Sequence, residues 1–536
     1  MAAHTPTTPD SPLQTAAQHM QAGRLAEAEE IYRQLLETHP EHHEALFKMG
    51  VLQAHQGHVH DAIDYFRKVL TLTPDMVEAQ NNLGNVYFQK KDYAQALVCY
   101  EQVLSSRPRN VESLNNLGNV YKMQGQFDLA LASYKKALTQ KPGSASIFNN
   151  IGTTYRGMGR LDDALAYFRK ALAVKPEFAH VQWNMSALML ESGDYATGLP
   201  LYDKRFDPEV LLELGAPGLG EMNRKFSSKP RWKGENLQGK TLAIWSEQGL
   251  GDSVMMLRYL PLLKKKGVAS VIVYCPASLK KIMLTGATLV VDHGATLPLD
   301  SFDLHCPMMS LPYAFGTTLE TIPNATPYLS VPAALSDKWA AQLAKFKGLK
   351  VGLAWAGNKD FPKDAQRSIA LDQFASLAAI PGVQLVSLQK GESAEQLKST
   401  GWRVLDWMDV CDDLLDTAAL VANLDLVITV DTAIAHVAGA LGKPVWLLNR
   451  ANGDWRWMLE REDSPWYPSM RIFRQQALYQ WDEVLASVAA ELGKLAPAGQ
   501  PGALGLSATE WEKAVAAANQ GLAIGKKKGL FAKLFG

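Results

Sequence analysis

VEAQNNLGNVYFQKKDYAQALVCYEQVLSSRP (residues 77–108) and VESLNNLGNVYKMQGQFDLALASYKKALTQKP (residues 111–142) are two copies of one pattern, 34 residues apart. Five prolines keep that register: Pro40, Pro74, Pro108, Pro142 and Pro176. Gly84, Gly118 and Gly152 follow Leu83, Leu117 and Ile151, with Tyr87, Tyr121 and Tyr155 three residues later. Ala62, Ala96, Ala130 and Ala164 fall where two helices cross closely, and Phe66, Tyr100, Tyr134 and Phe168 fill the space between repeats. A unit of this length is a helix–turn–helix that cannot bury its apolar face alone, so its copies must stack into an α-solenoid. After Pro176 the pattern fades. Asn184, Gly193 and Tyr202 keep the phase, Gly198 stands where the alanine should, and no sixth proline follows.

The period and these positions resemble the tetratricopeptide repeat, which implies a protein-binding arm over residues 13–205. The 536 residues are too many for one core and suggest about three globular units. With 54 basic and 54 acidic residues, no net field draws the chain to nucleic acid or to a membrane. Cys99, Cys275, Cys306 and Cys411 lie far apart without C-x-x-C spacing, so neither a zinc site nor a disulfide framework is expected, and a reducing cytoplasm fits them. The start MAAHTPTTPDSP has no apolar core of a signal peptide, and no stretch approaches the roughly 20 apolar residues of a membrane span.

Beyond the repeats the texture changes. Residues 206–237 form a Gly/Pro-interrupted connection expected to wrap onto the body. A first α/β lobe, 238–347, opens with TLAIW (241–245), the loop SEQGLGD (246–252) and an amphipathic helix, followed by VASVIVYC (268–275) and TLVVD (288–292). A second lobe, 348–495, carries VGLAWAG (351–357), VQLVSLQ (383–389), LDLVITV (424–430) and KPVWLLN (443–449), and closes with a helix near 481–494. Continuous apolar runs between helix-length segments read as strands buried on both faces. Two such units in series imply two Rossmann-like lobes with a cleft between them. Residues 496–536 read as a flexible basic tail, with Lys526, Lys527, Lys528 and Lys533 among apolar residues.

Ligands of open α/β lobes gather at the carboxyl ends of the strands, and two loops there stand out. In Glu247-Gln248-Gly249-Leu250-Gly251-Asp252 the glycines allow close approach of a ligand, and Asp252 opens the next helix. Val254 replaces the third glycine of G-x-G-x-x-G, so a dinucleotide fingerprint is poorly supported. Asp252 is either a catalytic carboxylate or a helix cap worth about 1 kcal/mol. In Asp431-Thr432-Ala433-Ile434-Ala435-His436, the free N–H groups of a helix start make a site for a diphosphate, Thr432 adds a hydroxyl, and His436 shares the helix face. The alternative is that Asp431 caps the helix and His436 packs on the sheet.

EQGLGDSVMMLRYLPLL, SIALDQFASLAAIPGVQLVSLQKG and VITVDTAIAHVAGALGKPVWLL resemble segments of heptosyltransferase-like glycosyltransferases. They are more similar still to proteins in which such a domain follows tetratricopeptide repeats, as is DWRWMLEREDSPWYPSMRIFRQ (454–475). The resemblance, over about 13–495, implies a GT-B fold with the acceptor on the first lobe and a nucleotide-sugar on the second. It assigns Asp252, after Gly251, as the base, and Asp431, Thr432 and His436 to the nucleotide phosphates. Ala433 stands where a glycine is usual, which makes the donor geometry there less certain. Gln248, Gly249, Arg367 and Lys390 complete the implied nucleotide-sugar contacts; by themselves Arg367 and Lys390 read equally as surface ion pairs. No D-x-D triplet occurs, so metal-independent transfer without a further cofactor is expected.

The leading reading is a cytoplasmic glycosyltransferase acting on Ser or Thr of a protein recruited by the repeats; flagellin is the acceptor the resemblance suggests. A lipopolysaccharide or other glycan acceptor, or a repeat scaffold with a degenerate transferase body, are the alternatives. Asn82, Asn116, Asn150 and Asn184 recur every 34 residues. They form a ladder that either bonds an extended acceptor peptide or ties neighbouring repeats together.

Overall fold

The computed structural model describes residues 12–213, 217–361, 364–496 and 506–535. The expectations for residues 1–11 and for the stretch 497–505 lie outside the described residues. Two compact units meet in sequence at Val181 and Gln182.

The first unit is the solenoid. Its helix pairs run Pro12–Gln21 with Leu25–Thr38, His43–Gln56 with Val59–Leu72, Val77–Gln89 with Tyr93–Ser106, Val111–Met123 with Phe127–Gln140, and Ala145–Gly157 with Leu161–Val174. Four of the pairs are tight because glycine faces an aromatic ring: a Cβ on Gly50, Gly84, Gly118 or Gly152 would lie 2.9, 2.6, 2.5 or 2.6 Å from Phe66, Tyr100, Tyr134 or Phe168. Ala62, Ala96, Ala130 and Ala164 are fully buried beside them. The register prolines end the second helices. Thr73, Arg107 and Lys141, each preceding a proline, leave helical φ/ψ while their N–H groups still bond the carbonyls of Val69, Val103 and Ala137. Within pairs the chain turns through a left-handed residue, Gly23, Gly57, Gly125 and Gly159 in four of them, but Lys91, at φ 64°, in the pair Val77–Gln89 with Tyr93–Ser106.

The second unit holds two parallel sheets among its described residues. The first has strand order β3-β2-β1-β4, from β1 Thr241–Trp245, β2 Ser270–Cys275, β3 Leu289–Asp292 and β4 Leu304–Pro307. The second has order β10-β9-β8-β5-β6-β7. Its strands are β5 Leu349–Ala354, β6 Val383–Ser387, β7 Val404–Asp406, β8 Leu426–Val430, β9 Val445–Asn449 and β10 Met470–Arg474. Each strand read from an apolar run is present, and β6, β8 and β9 are buried throughout. Strands β4, β7 and β10 have no comparable apolar run and add to those read from the sequence.

Two boundaries differ from the sequence reading. Residues 182–206 continue the repeat pattern but belong to the second unit. Trp466 donates its indole N–H to the Tyr195 hydroxyl at 3.1 Å, Tyr202 accepts from Gln248 at 2.6 Å, and buried Arg205 grips Glu247 through two nitrogens at 2.7 and 2.8 Å. Gly198 replaces the crossing alanine because a Cβ there would sit 2.7 Å from Leu190. The expected flexible tail instead contains a helix, Ala508–Phe535. Ser507 and Glu510 close a capping box at its start. Ala518 and Leu522 are buried, Trp511 packs edge-on to Phe346, and Asn519 accepts from the Trp407 indole at 3.0 Å. No helix among the described residues is long and apolar enough to cross a membrane.

Candidate functional site

β1 delivers the first loop at its carboxyl end, and helix Leu250–Met256 begins there with Gly249 as its N-cap. Asp252 is the third helical residue rather than the cap: its Oδ2 accepts the Gly249 N–H at 3.0 Å, one arm of a capping box whose other arm glycine cannot supply. Its Oδ1 lies 2.6 Å from Arg456 Nη2. Burial raises the Asp252 pKa above the ordinary carboxylate value, and Arg456 pulls against that rise. Glu247 has its side chain wholly buried against Arg205 and also accepts the Met309 N–H at 2.9 Å, so it anchors the loop.

β8 delivers the second loop directly against the first. A Cβ on Gly251 would lie 2.5 Å from His436 Cδ2 and 3.1 Å from the Ala433 Cα. The close approach that Gly251 permits is therefore to the facing loop. Thr432, not Asp431, caps helix Ala433–Ala440, its hydroxyl accepting the Ile434 N–H at 3.3 Å. Ala433 is the first helical residue and is not among the positive-φ residues, so alanine suits a position where the resemblance expected glycine. Burial raises the pKa of Asp431.

His436 is buried and packs against Trp457 and Tyr467, with ring centroids at 5.3 and 5.8 Å. Its Nδ1 shares a 2.9 Å hydrogen bond with the Tyr467 hydroxyl. Burial, with Arg456 and Arg258 nearby, lowers its pKa to about 3. At neutral pH it brings no positive charge to a phosphate.

The cations of the site come from elsewhere. Arg367, paired with Asp364 at 3.0 Å, donates to the Asp431 carbonyl at 2.7 Å and so joins the second loop. Lys390 does not join it: the side chain reaches the Cys411 carbonyl at 2.6 Å, past β7. Two arginines that the sequence reading passed over follow β9. Arg450 bonds Gln366 at 3.3 Å and acts on Asp431 and Asp454 through its charge. Arg456 joins Asp252 to Asp454, the latter at 2.5 Å, and stacks over Trp455. Burial pushes the Asp454 pKa up, but the Arg456 charge and hydrogen bonds hold it below the ordinary value. The signal was available: NRANGDWRWM follows a strand, at the sheet edge where ligands gather. Among the described residues no group of three or more His, Cys, Asp or Glu side chains is arranged to hold a metal ion.

On the solenoid, Asn116 Nδ2 donates to Asn85 Oδ1 and Asn150 Nδ2 to Asn115 Oδ1, both at 2.9 Å across neighbouring repeats. Asn85 also accepts from the Tyr100 hydroxyl. These bonds are those of the inter-repeat alternative. Asn82 is half-buried, and Asn184 is buried in the second unit.

Residues 15–77, 75–142 and 145–178 match tetratricopeptide-repeat models, and residues 407–479 match glycosyltransferase family 9 (heptosyltransferase). The chain therefore combines tetratricopeptide repeats with a C-terminal glycosyltransferase family 9 domain. Protein FlbA of Caulobacter vibrioides is 30% identical over 338 residues, covering 59% of this chain and 55% of FlbA, so the match spans little more than half of that relative. Among solved structures, MamA is 28% identical over 31% of this chain and 96% of its own, with a TM-score of 0.28. A thermophilic tetratricopeptide-repeat protein of Thermus thermophilus is 27% identical over 33% of this chain and 97% of its own, with a TM-score of 0.30.

Proposed function

We propose that the second unit is a GT-B glycosyltransferase that moves a sugar from a nucleoside-diphosphate donor to a hydroxyl of a protein held by the repeats. The observation that carries this reading is the meeting of two strand-end loops from different sheets, with Asp252 on one, the capped helix start at Thr432 on the other, and Arg367, Arg450 and Arg456 around them. In this mechanism the acceptor oxygen attacks the anomeric carbon and its proton passes to Asp252. The bond from that carbon to the diphosphate oxygen breaks, and the electron pair leaves with the diphosphate. Helix amides and arginines meet the departing charge, a task that in other transferases falls to a metal ion. The arm and the resemblance of residues 13–495 to repeat-bearing transferases support a Ser or Thr acceptor, with flagellin as one candidate protein.

The test is to incubate the purified chain with a panel of nucleotide sugars, with and without chelator. Nucleotide release and a mass shift on an added flagellin or another co-purified protein are the readouts. Sugar transfer to a protein supports the reading in full, and transfer only to a glycan would replace the acceptor. A chain that neither hydrolyses nor transfers any donor would be a scaffold.

A further inference from the structure

We propose that Arg456 is an exchangeable counter-ion, paired with Asp252 while the donor site is empty and transferred to the donor's diphosphate when it fills. The inference rests on the nucleotide-sugar reading of the site. Both Asp252 oxygens are engaged, one by the Gly249 N–H and one by the Arg456 guanidinium at 2.6 Å. The Arg456 guanidinium occupies one carboxylate oxygen and opposes the proton affinity that burial gives Asp252, so its departure frees that oxygen and makes Asp252 a stronger base. Arg456 itself is only 8% exposed. Its Nη1 is on Asp454 at 2.5 Å, Nη2 also reaches Gln248 Oε1 at 3.4 Å, and its Nε is buried with no partner in the protein.

A diphosphate arriving beside Thr432 would enter a site that already holds the carboxylates of Asp252, Asp431 and Asp454. A planar guanidinium takes phosphate oxygens through two parallel N–H groups, a better match than a carboxylate shared with a second acid. Moving Nη2 and the unpartnered Nε onto the diphosphate keeps the buried guanidinium compensated throughout. Asp252 is then released beside the anomeric carbon. The base becomes competent only once the donor is bound, so the donor binds before the acceptor hydroxyl can be deprotonated.

The experiment measures binding of inorganic pyrophosphate, without metal, to the full chain by calorimetry in wild type, Asp252→Asn, Arg456→Gln and the double variant. Exchange predicts that Asp252→Asn tightens pyrophosphate binding about tenfold and that Arg456→Gln weakens it about tenfold or more. In the double variant the Asp252 substitution should then have no further effect. If Asp252→Asn tightens binding equally in the Arg456→Gln background, the carboxylate acts by repulsion alone and the exchange is wrong. Equal binding by wild type and Arg456→Gln also overturns it while leaving the diphosphate site standing, whereas no binding by wild type removes the site reading itself. Should Arg456→Gln not fold, Arg456→Lys keeps the charge but not the fork. In that background the gain from Asp252→Asn must shrink, and an unchanged gain refutes the exchange.

Discussion

Asp252 and His436 sit on facing loops and are shaped by opposite demands. Asp252 carries a counter-ion, Arg456, at 2.6 Å, and as the proposed base its replacement by Asn should cut glycosyl transfer by about 10²–10⁴-fold without weakening donor binding, measured as initial rates against the binding isotherm. Wild-type turnover in that variant would remove it from the chemistry. His436 is held neutral. Its ordinary pKa of 6.5 applies to the unfolded chain, against about 3 in the fold, so acidification below 6.5 protonates the unfolded state first. Stability from this residue is full above pH 6.5 and declines by up to about 1.4 kcal/mol per pH unit below it. His436→Gln should be less stable at pH 7, through loss of the Tyr467 bond, yet lose less between about pH 6.5 and 4.5 in thermal melts. His305, lowered by burial to about 4, should supply a residual slope in both proteins.

At the scale of elements, the repeat turns and the C-terminal helix make separable predictions. Lys91 adopts φ 64° where the equivalent turns use Gly23, Gly57, Gly125 and Gly159. A side chain in that region carries a steric cost that glycine avoids, so Lys91→Gly should stabilise the arm by about 1 kcal/mol in denaturant titrations. No gain would mean that the larger backbone freedom of glycine in the unfolded chain cancels the relief. Helix Ala508–Phe535 covers Phe346 and Trp407 with Trp511, Ala518 and Leu522. Ending the chain after Leu495 should therefore lower the stability of the second unit by about 3 kcal/mol or more, on the burial of two large side chains alone. An unchanged melt would show the helix to be dispensable.

At the scale of the molecule, the division at Val181 and Gln182 separates an arm of stacked repeats from a body that contains every element of the candidate site. A chain beginning at Gln182 should keep its own core and hydrolyse donor at close to the rate of the full protein, while transfer to a protein acceptor falls at least about tenfold. The comparison of hydrolysis with transfer checks it, and equal loss of both would assign the repeats to folding rather than recruitment. Asn116 and Asn150 already tie repeat to repeat. If they hold no peptide, replacing both by Ala lowers the melting temperature of the arm and leaves transfer unchanged.

Period and local chemistry were enough to read the solenoid, because a 34-residue spacing of Gly, Ala, aromatic and Pro residues records packing between neighbours along the chain. The apolar runs of β1, β8 and β9 and the loops after them were legible for the same reason: a strand buried on both faces writes its burial into consecutive residues. Ser507, Glu510 and the spacing of Trp511, Ala518 and Leu522 also carried a helix in plain sight, obscured by the lysines that follow. What tertiary structure alone decided is which charges meet. Arg456 and Gln248 are 208 positions apart and β7 gave no run to count. The burial of the His436 ring depended on Trp457, Tyr467 and Gly251 closing around it. A charge pair is specified by where distant loops converge, and a pKa by how much water that convergence removes; neither quantity is local, so neither is written in any one stretch of sequence.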